Sequence, residues 1–498
     1  MLKEDLYKLI TSLSTSEKRS FRMYCKQQSG SGLYASLFEI YITGAAAQVD
    51  VEVAFLTQHP EVSFDNTASY LFKVLTDMLT FSRIQQDKWF GQVFSVMKAK
   101  LYTERSLPER SLKELRRTRR QCQETEDHLL SYLCSRMELS QLARTGFTGL
   151  NQQDLIGYQM KGKKALQILR QTHEHHSLYE LLSHKLLNEG ISLADKNDKS
   201  LDNLVLTELG IITQGSSHHF ESKKLHLLFQ SYFFIHKGDY NAALALFKQL
   251  NKLMEENEAI LDFPPYDYLD TLEGIISSLI SIEYYEEMPY FIDRIADFRT
   301  KKFPEHFSNL TDQIICIYQM AQLSGQQRYE QALHSFELDK TQGRFREVSI
   351  SPEKYIEYLL NVAIAYMHCG NIKLANDSIL QAINIGRQQM DLPIVRACRL
   401  FQLLLHAEVN DQEFISYEIR AYKRSYAGKA SALSFEKSFF EVITTDLKWI
   451  SFTKRKRFLQ KITGGIQKLS DTPYQQKILA YFDFVAWIKK KLDNVAIE

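Results

Sequence analysis

A chain of 498 residues with 44% apolar content exceeds what one compact core usually organises, so several domains or an extended repeat array are expected. Charged residues at 24% and a net charge of +1 argue against a wholesale nucleic-acid coat and against an acidic disordered tail. Nine prolines and 20 glycines give too little punctuation for an all-β fold of short strands, which leaves long helices.

The cysteines (Cys25, Cys122, Cys134, Cys316, Cys369, Cys398) are scattered, with no CxxC and no zinc-type spacing, which suits a reducing compartment. The opening stretch MLKEDLYKLITSL carries Glu4 and Asp5 inside an amphipathic pattern, unlike a secretory signal. No apolar run approaches the roughly 18 residues of a membrane span, so a cytoplasmic protein with no membrane contact is the expectation.

Residues 1–105 predict an irregular domain of short helices. Ser14 and Glu17 are spaced as a capping box, Gly30-Ser31-Gly32 breaks a helix, residues 44–47 form a Gly-Ala link, and Asn66 caps a longer segment. Such a succession could be a helix-turn-helix reading head; an irregular cap on a helical array is the preferred reading.

Residues 106–216 predict long helices leading into a region of repeats. A second capping box at Ser106 and Glu109, with Pro108 in the first turn, opens one helix through Ala143, with further helices over about 152–172 and 177–194 and a polar loop at 195–200. On the first of these, Arg110, Lys113, Arg117 and Arg120 form one basic stripe.

Residues 217–430 carry the clearest pattern. In Lys354–Gly386, Tyr355, Leu359, Val362, Ala363 and Tyr366 share one helical face, Ile372, Ala375, Ile379, Ala382 and Ile383 share another, and His368-Cys369-Gly370-Asn371 breaks between them. Residues 231–250 repeat this with Ser231 and Ala243 as small positions, Phe234 and Phe247 as fillers and Gly238 at the turn. The small or medium residue after each turn recurs at Ala243, Met288, Ala332, Ala375 and Tyr417.

This pattern resembles a tetratricopeptide repeat, best over 217–386, although its period of about 42–45 residues exceeds the usual 34. The resemblance implies an all-α solenoid of helical hairpins that acts by binding a protein or peptide partner, with residues 431–498 as a C-terminal helical cap.

Catalytic signatures are missing from the sequence. There is no phosphate-binding glycine loop, GxGxxG, GxSxG or HExxH, and no cofactor or metal is expected. His173, His175, His176 and His184 form one histidine group and His218, His219 and His226 a second; their spacing does not enforce a tetrahedral site, so a histidine-based metal enzyme ranks last.

Charge runs offer two binding surfaces. From Leu253 to Asp293 there are eleven acids and no Lys, Arg or His, with tyrosines among them. Asp267, Asp270, Glu273, Glu286 and Glu287, with Tyr266, Tyr284 and Tyr285, are the candidate site for a basic peptide or protein segment. The competing surface is nucleic-acid binding through Arg110, Lys113, Arg117 and Arg120, or through the basic run at 447–470, which could instead pair with the acidic block.

Overall fold

The computed structural model describes residues 2–27, 32–47, 50–188, 199–214, 219–301, 303–345, 348–390, 392–426, 433–445 and 473–497. Among the described residues all regular structure is helical, with 23 α-helices packing mostly against their sequence neighbours.

The N-terminal helices α1 (Leu2–Thr11), α2 (Thr15–Gln27), α3 (Gly32–Ala47), α4 (Val51–Gln58) and α5 (Phe64–Gln86) close on their own core of Leu6, Phe21, Leu37, Phe38, Phe55, Leu71 and Leu75. The first capping box forms as the sequence suggests: Ser14 N–H donates to Glu17 at 2.8 Å, and Glu17 N–H donates to Ser14 Oγ at 3.3 Å. Two expectations here are corrected. The 44–47 link is helical as the end of α3, and Ser63 rather than Asn66 caps α5, its Oγ accepting from Asn66 N–H at 3.4 Å.

Next come α6 (Lys88–Glu104), α7 (Pro108–Glu124), α8 (His128–Arg144), α9 (Gln152–Asn188) and α10 (Lys199–Gln214). The long helix expected from residue 106 is two. Glu126 takes a left-handed backbone (φ 52°), and Asp127 starts α8 by accepting from Leu130 N–H at 2.9 Å. The capping box at Ser106 does not form, because Ser106 is itself left-handed (φ 54°) and closes the preceding helix. Conversely, the helices expected at 152–172 and 177–194 are fused in α9: no Gly or Pro intervenes, and Ser177 Oγ bonds back to His173 O at 3.0 Å instead of capping a new start. Residues 189–198 lie outside the described residues.

Five hairpins make up the next part of the chain: α11 (Phe220–Lys237) with α12 (Tyr240–Glu256), α13 (Tyr266–Ser281) with α14 (Met288–Ala296), α15 (Glu305–Gly325) with α16 (Tyr329–Thr341), α17 (Pro352–His368) with α18 (Ile372–Ile385), and α19 (Pro393–Glu408) with α20 (Gln412–Ser425). Each closes with one left-handed residue, Gly238, Glu283, Gln327, Gly370 or Asn410. In each, the next N–H reaches back to a carbonyl of the first helix: Asp239 to Phe234, Tyr284 to Leu279, Arg328 to Leu323, Asn371 to Tyr366 and Asp411 to His406, at 2.8–3.0 Å. Five residues past these turns stand Ala243, Met288, Ala332, Ala375 and Ile415, all fully buried. The repeat register therefore holds for the first four markers and is corrected at the fifth, where Tyr417 is 61% exposed.

First helices of successive hairpins also touch, α13 on α15, α15 on α17 and α17 on α19, which makes two layers. A single apolar cluster runs from Phe220 to Ile488 through these layers. It includes α21 (Glu436–Thr444), α22 (Pro473–Tyr481) and α23 (Phe484–Ile497), of which α22 packs on α19. The last two helices are separated at Phe482-Asp483, where Asp483 accepts from Ala486 N–H at 2.8 Å. Residues 446–472, which include the whole basic run at 447–470, lie outside the described residues.

Candidate partner-binding surface

On α13, Leu269, Leu272, Ile276 and Leu279 recur at helical spacing and are buried, so the opposite edge of the helix carries the acids Asp267, Asp270 and Glu273. The groups facing those acids come from other hairpins. Asp267 accepts from Lys224 Nζ of α11 at 2.5 Å. Glu273, buried at 6% exposure, accepts from Lys354 Nζ of α17 through both oxygens at 2.6 Å and from Tyr318 of α15 at 3.3 Å. Lys354 of α17 therefore meets α13 across the α15 residue Tyr318, which bonds the same carboxylate.

Two carboxyls beside this ion pair have no side-chain hydrogen-bond partner among the described residues. Asp270 keeps contact with solvent, yet the surrounding protein, then the Glu273 charge, raise its pKa from 3.8 to about 6, against the opposing pull of Lys354. Glu357 lies on α17 one turn beyond Lys354, half-buried. Desolvation first, then Glu353, raise it from 4.5 to about 7. Tyr481, at the end of α22, stands by the same group, and burial followed by Glu357 and Glu353 holds its hydroxyl well above its usual value. The result is a crowded, tyrosine-bearing recess in which acids outnumber the cation that serves them.

The eight residues singled out from the sequence do not form one site. Asp267, Asp270 and Glu273 lie along α13, whereas Tyr284, Tyr285, Glu286 and Glu287 belong to the turn into α14. In that turn Glu287 accepts from Lys248 Nζ at 2.6 Å, and the Tyr285 ring lies so close to Gly325 that a Cβ there would meet it at 2.2 Å. Tyr284 and Glu286 face solvent. Tyr266 opens α13, its hydroxyl 2.7 Å from His306 Nε2. The sequence reading missed Lys354, Glu357, Tyr318 and Tyr481; the one signal for them was Glu353-Lys354-Glu357 on the clearest hairpin.

The acid-only stretch has a structural counterpart. Its acids are met by bases about one repeat away: Glu255 with Arg294 and Glu287 with Lys248, each 39 residues apart, and Asp267 with Lys224 and Glu258 with Lys301, each 43 apart. Most of these pairs are solvent-exposed and contribute at most about 1 kcal/mol each.

The basic stripe of α7 is arranged differently. Arg110, Lys113, Arg117 and Arg120 are exposed, while Arg116 and Arg119 turn towards the buried Glu138, with Arg116 Nε donating at 2.7 Å. The histidine groups disperse as well: His175 is buried near Glu208 and His226, whereas His176 lies 3.5 Å from Glu221.

A cleft of about 700 Å³ separates the α5–α6 elbow from the repeats. Asp87, Glu126, Asp127, Glu221, Glu258, Asp262 and Asp267 line it against Arg83, Lys88 and Lys224, so its net charge is negative. Lys88 Nζ donates to Ala259 O at 3.1 Å, and the Arg83 guanidinium lies 4.6 Å from the centre of the Phe263 ring, tying the elbow to the segment before α13. No protein-family model matches the chain, and no curated protein matches it in sequence.

Proposed function

We propose that this chain is a non-enzymatic scaffold of tetratricopeptide-like hairpins, wound as a right-handed solenoid, that binds a basic segment of a partner protein in the recess between α13 and α17. The observation that carries this reading is the pair of unpartnered carboxyls, Asp270 and Glu357, on either side of the Glu273–Lys354 pair. Desolvated carboxyls with raised pKa values gain most from an incoming cation, because an arginine or lysine side chain supplies both charge and hydrogen-bond donors. Tyr481, half-buried at the end of α22, adds contact area at little entropic cost, while the buried Tyr318 holds Glu273 in place. A cytoplasmic location fits six cysteines that are all free and five of them buried.

The test is binding of an arginine-rich peptide across a salt and pH series. Affinity should fall with salt, rise from pH 6 to pH 8 as both carboxyls ionise, and drop at least about tenfold in Asp270→Asn/Glu357→Gln. An unchanged affinity in a folded double variant would exclude this recess.

A second reading, nucleic-acid binding, is favoured by one observation: the stripe Arg110, Lys113, Arg117 and Arg120 is exposed and has no acidic partner among the described residues. It requires steeply salt-dependent binding that disappears on neutralising those four residues.

A further inference from the structure

Apart from the acidic recess, the turn between α7 and α8 meets the start of α11 at a small group of potential ligands. Glu126 is held in the left-handed conformation that few non-glycine residues adopt (φ 52°), and its Oε2 accepts from Phe220 N–H at 2.8 Å, 94 residues along the chain. His219 immediately precedes α11, with Nδ1 3.8 Å from that same oxygen. His128 is the first residue of α8, its ring edge-on to His219 with centroids 4.8 Å apart. One ligand atom from each of the three lies within 4.8 Å of the others.

We propose that Glu126, His128 and His219 form a binding site for a divalent transition metal, with Zn²⁺ the best match to two imidazoles and one carboxylate. A separate observation points to a missing ligand. His128 Nε2 is shut off from solvent and has no hydrogen-bond partner among the described residues, the kind of buried polar atom that folded proteins rarely leave unsatisfied.

Bonds of about 2.0–2.1 Å place tetrahedral ligand atoms roughly 3.3 Å apart, so metal entry draws the three groups inward by about an ångström, within reach of side-chain rotation. The electrostatics are mixed. Lys164 and the N-terminal ends of α8 and α11 oppose a cation, while Glu126 and Asp127 favour one. Glu126 and Asp127 also line the 700 Å³ cleft, which leaves an approach for a fourth ligand, water or an incoming carboxylate. Neither histidine group read from the sequence contains this set, since Glu126 and His128 stand more than 90 residues before His219.

Bound metal would fasten the α7–α8 turn to the first repeat, and the assignment is independent of peptide binding in the α13–α17 recess. The experiment uses the full chain without a histidine tag, stripped with chelator and titrated with Zn²⁺ by calorimetry. One equivalent should bind with a dissociation constant of about 1 µM or tighter, and saturating Zn²⁺ should raise the melting temperature. His128→Asn and His219→Asn should each weaken binding at least about tenfold and remove the thermal shift, while His173→Asn/His176→Asn leaves both unchanged. Should a variant fail to fold, the visible spectrum of Co²⁺ bound to the wild-type chain decides: tetrahedral bands support the site, and a purely octahedral spectrum overturns it. Absence of saturable binding, or binding that survives His128→Asn and His219→Asn, also overturns it.

Discussion

Helices α7 and α13 carry opposite charge runs and resolve them in opposite ways. On α7, Arg116 and Arg119 fold inward to Glu138, and the other four cations point to water with no acidic partner among the described residues. On α13, Asp267 and Glu273 meet lysines from hairpins before and after their own, 43 and 81 residues away. In a stack of similar hairpins the natural counter-ion sits one or two repeats along the chain, so the net charge of a local window overstates what the surface presents. The groups left over after that matching, Asp270 and Glu357 beside the Glu273–Lys354 pair and the exposed α7 stripe, are where a partner's charge has most to gain.

The strongest test of pairing across repeats is the most deeply buried cation. Arg396 on α19 is 2% exposed and donates to Glu436, 40 residues on, at 2.8 Å and to Tyr422 Oη at 2.8 Å, with the Tyr426 ring centre 4.6 Å from its guanidinium. Arg396→Ala strands Glu436 without its cation and should cost about 3–5 kcal/mol in chemical denaturation. Arg396→Met/Glu436→Leu should recover much of that loss, because removing both charges leaves no uncompensated group. A loss below about 1 kcal/mol in the single variant would mean that these long-range pairs decorate the array rather than hold it.

Apolar packing on the far side of α13 sets where its acids point. At Gly274 an added Cβ would lie 2.5 Å from the Phe247 ring, and Ala375 is fully buried between helices of its own hairpin. Ala375→Trp should destabilise the chain by about 1–3 kcal/mol or more, and Gly274→Ala should also destabilise it, by forcing α12 and α13 apart. Retained stability in both would show that the hairpins pack more loosely than these close approaches require.

The repeats were legible for a specific reason. Their small positions, Ala243, Ala332 and Ala375, sit where helices must approach, and their turns recur at a steady period. Legibility failed where one backbone conformation was supplied by unrelated residues. Gly238 and Gly370 announce a left-handed turn, but Glu283, Gln327, Asn410, Ser106 and Glu126 adopt the same conformation with little sequence signal. Hence the expected long helix from residue 106 became α7 and α8, and the last marker was set two residues late at Tyr417 instead of Ile415. The candidate site was half-legible for a related reason: Asp267, Asp270 and Glu273 share one helix, whereas Lys354 and Glu357 come to them from a hairpin about 80 residues along the chain.

The unpaired acids Asp270 and Glu357 also predict a pH dependence with a definite sign. Asp270 and Glu357 have folded-state values of about 6 and 7 against ordinary values of 3.8 and 4.5, so between those limits the folded chain holds protons that the unfolded chain has released. Their contribution to stability is complete below about pH 4 and is lost as pH rises through 7. The melting temperature of the wild type relative to Asp270→Asn/Glu357→Gln should therefore fall between pH 5 and pH 8. A constant difference across that range would show both carboxyls to be ordinary.

The smallest expected effect separates α7 from α13 by its sign. Arg110, Lys113, Arg117 and Arg120 succeed one another at three- and four-residue intervals on an exposed face, where like charges repel by about 0.2–0.5 kcal/mol per pair at low salt. Changing all four to Gln removes that repulsion and breaks no ion pair among the described residues, so stability should stay level or rise slightly, and the gain should vanish as salt screens the charges. Glu273→Gln neutralises one group as well, but it strips Lys354 of its partner in a recess only partly open to water, so stability should fall. Denaturant midpoints at low and high salt read both signs in one experiment. A loss on neutralising α7 would mean that those four cations already have a partner within the folded chain, and would remove the ground for treating the stripe as a free surface.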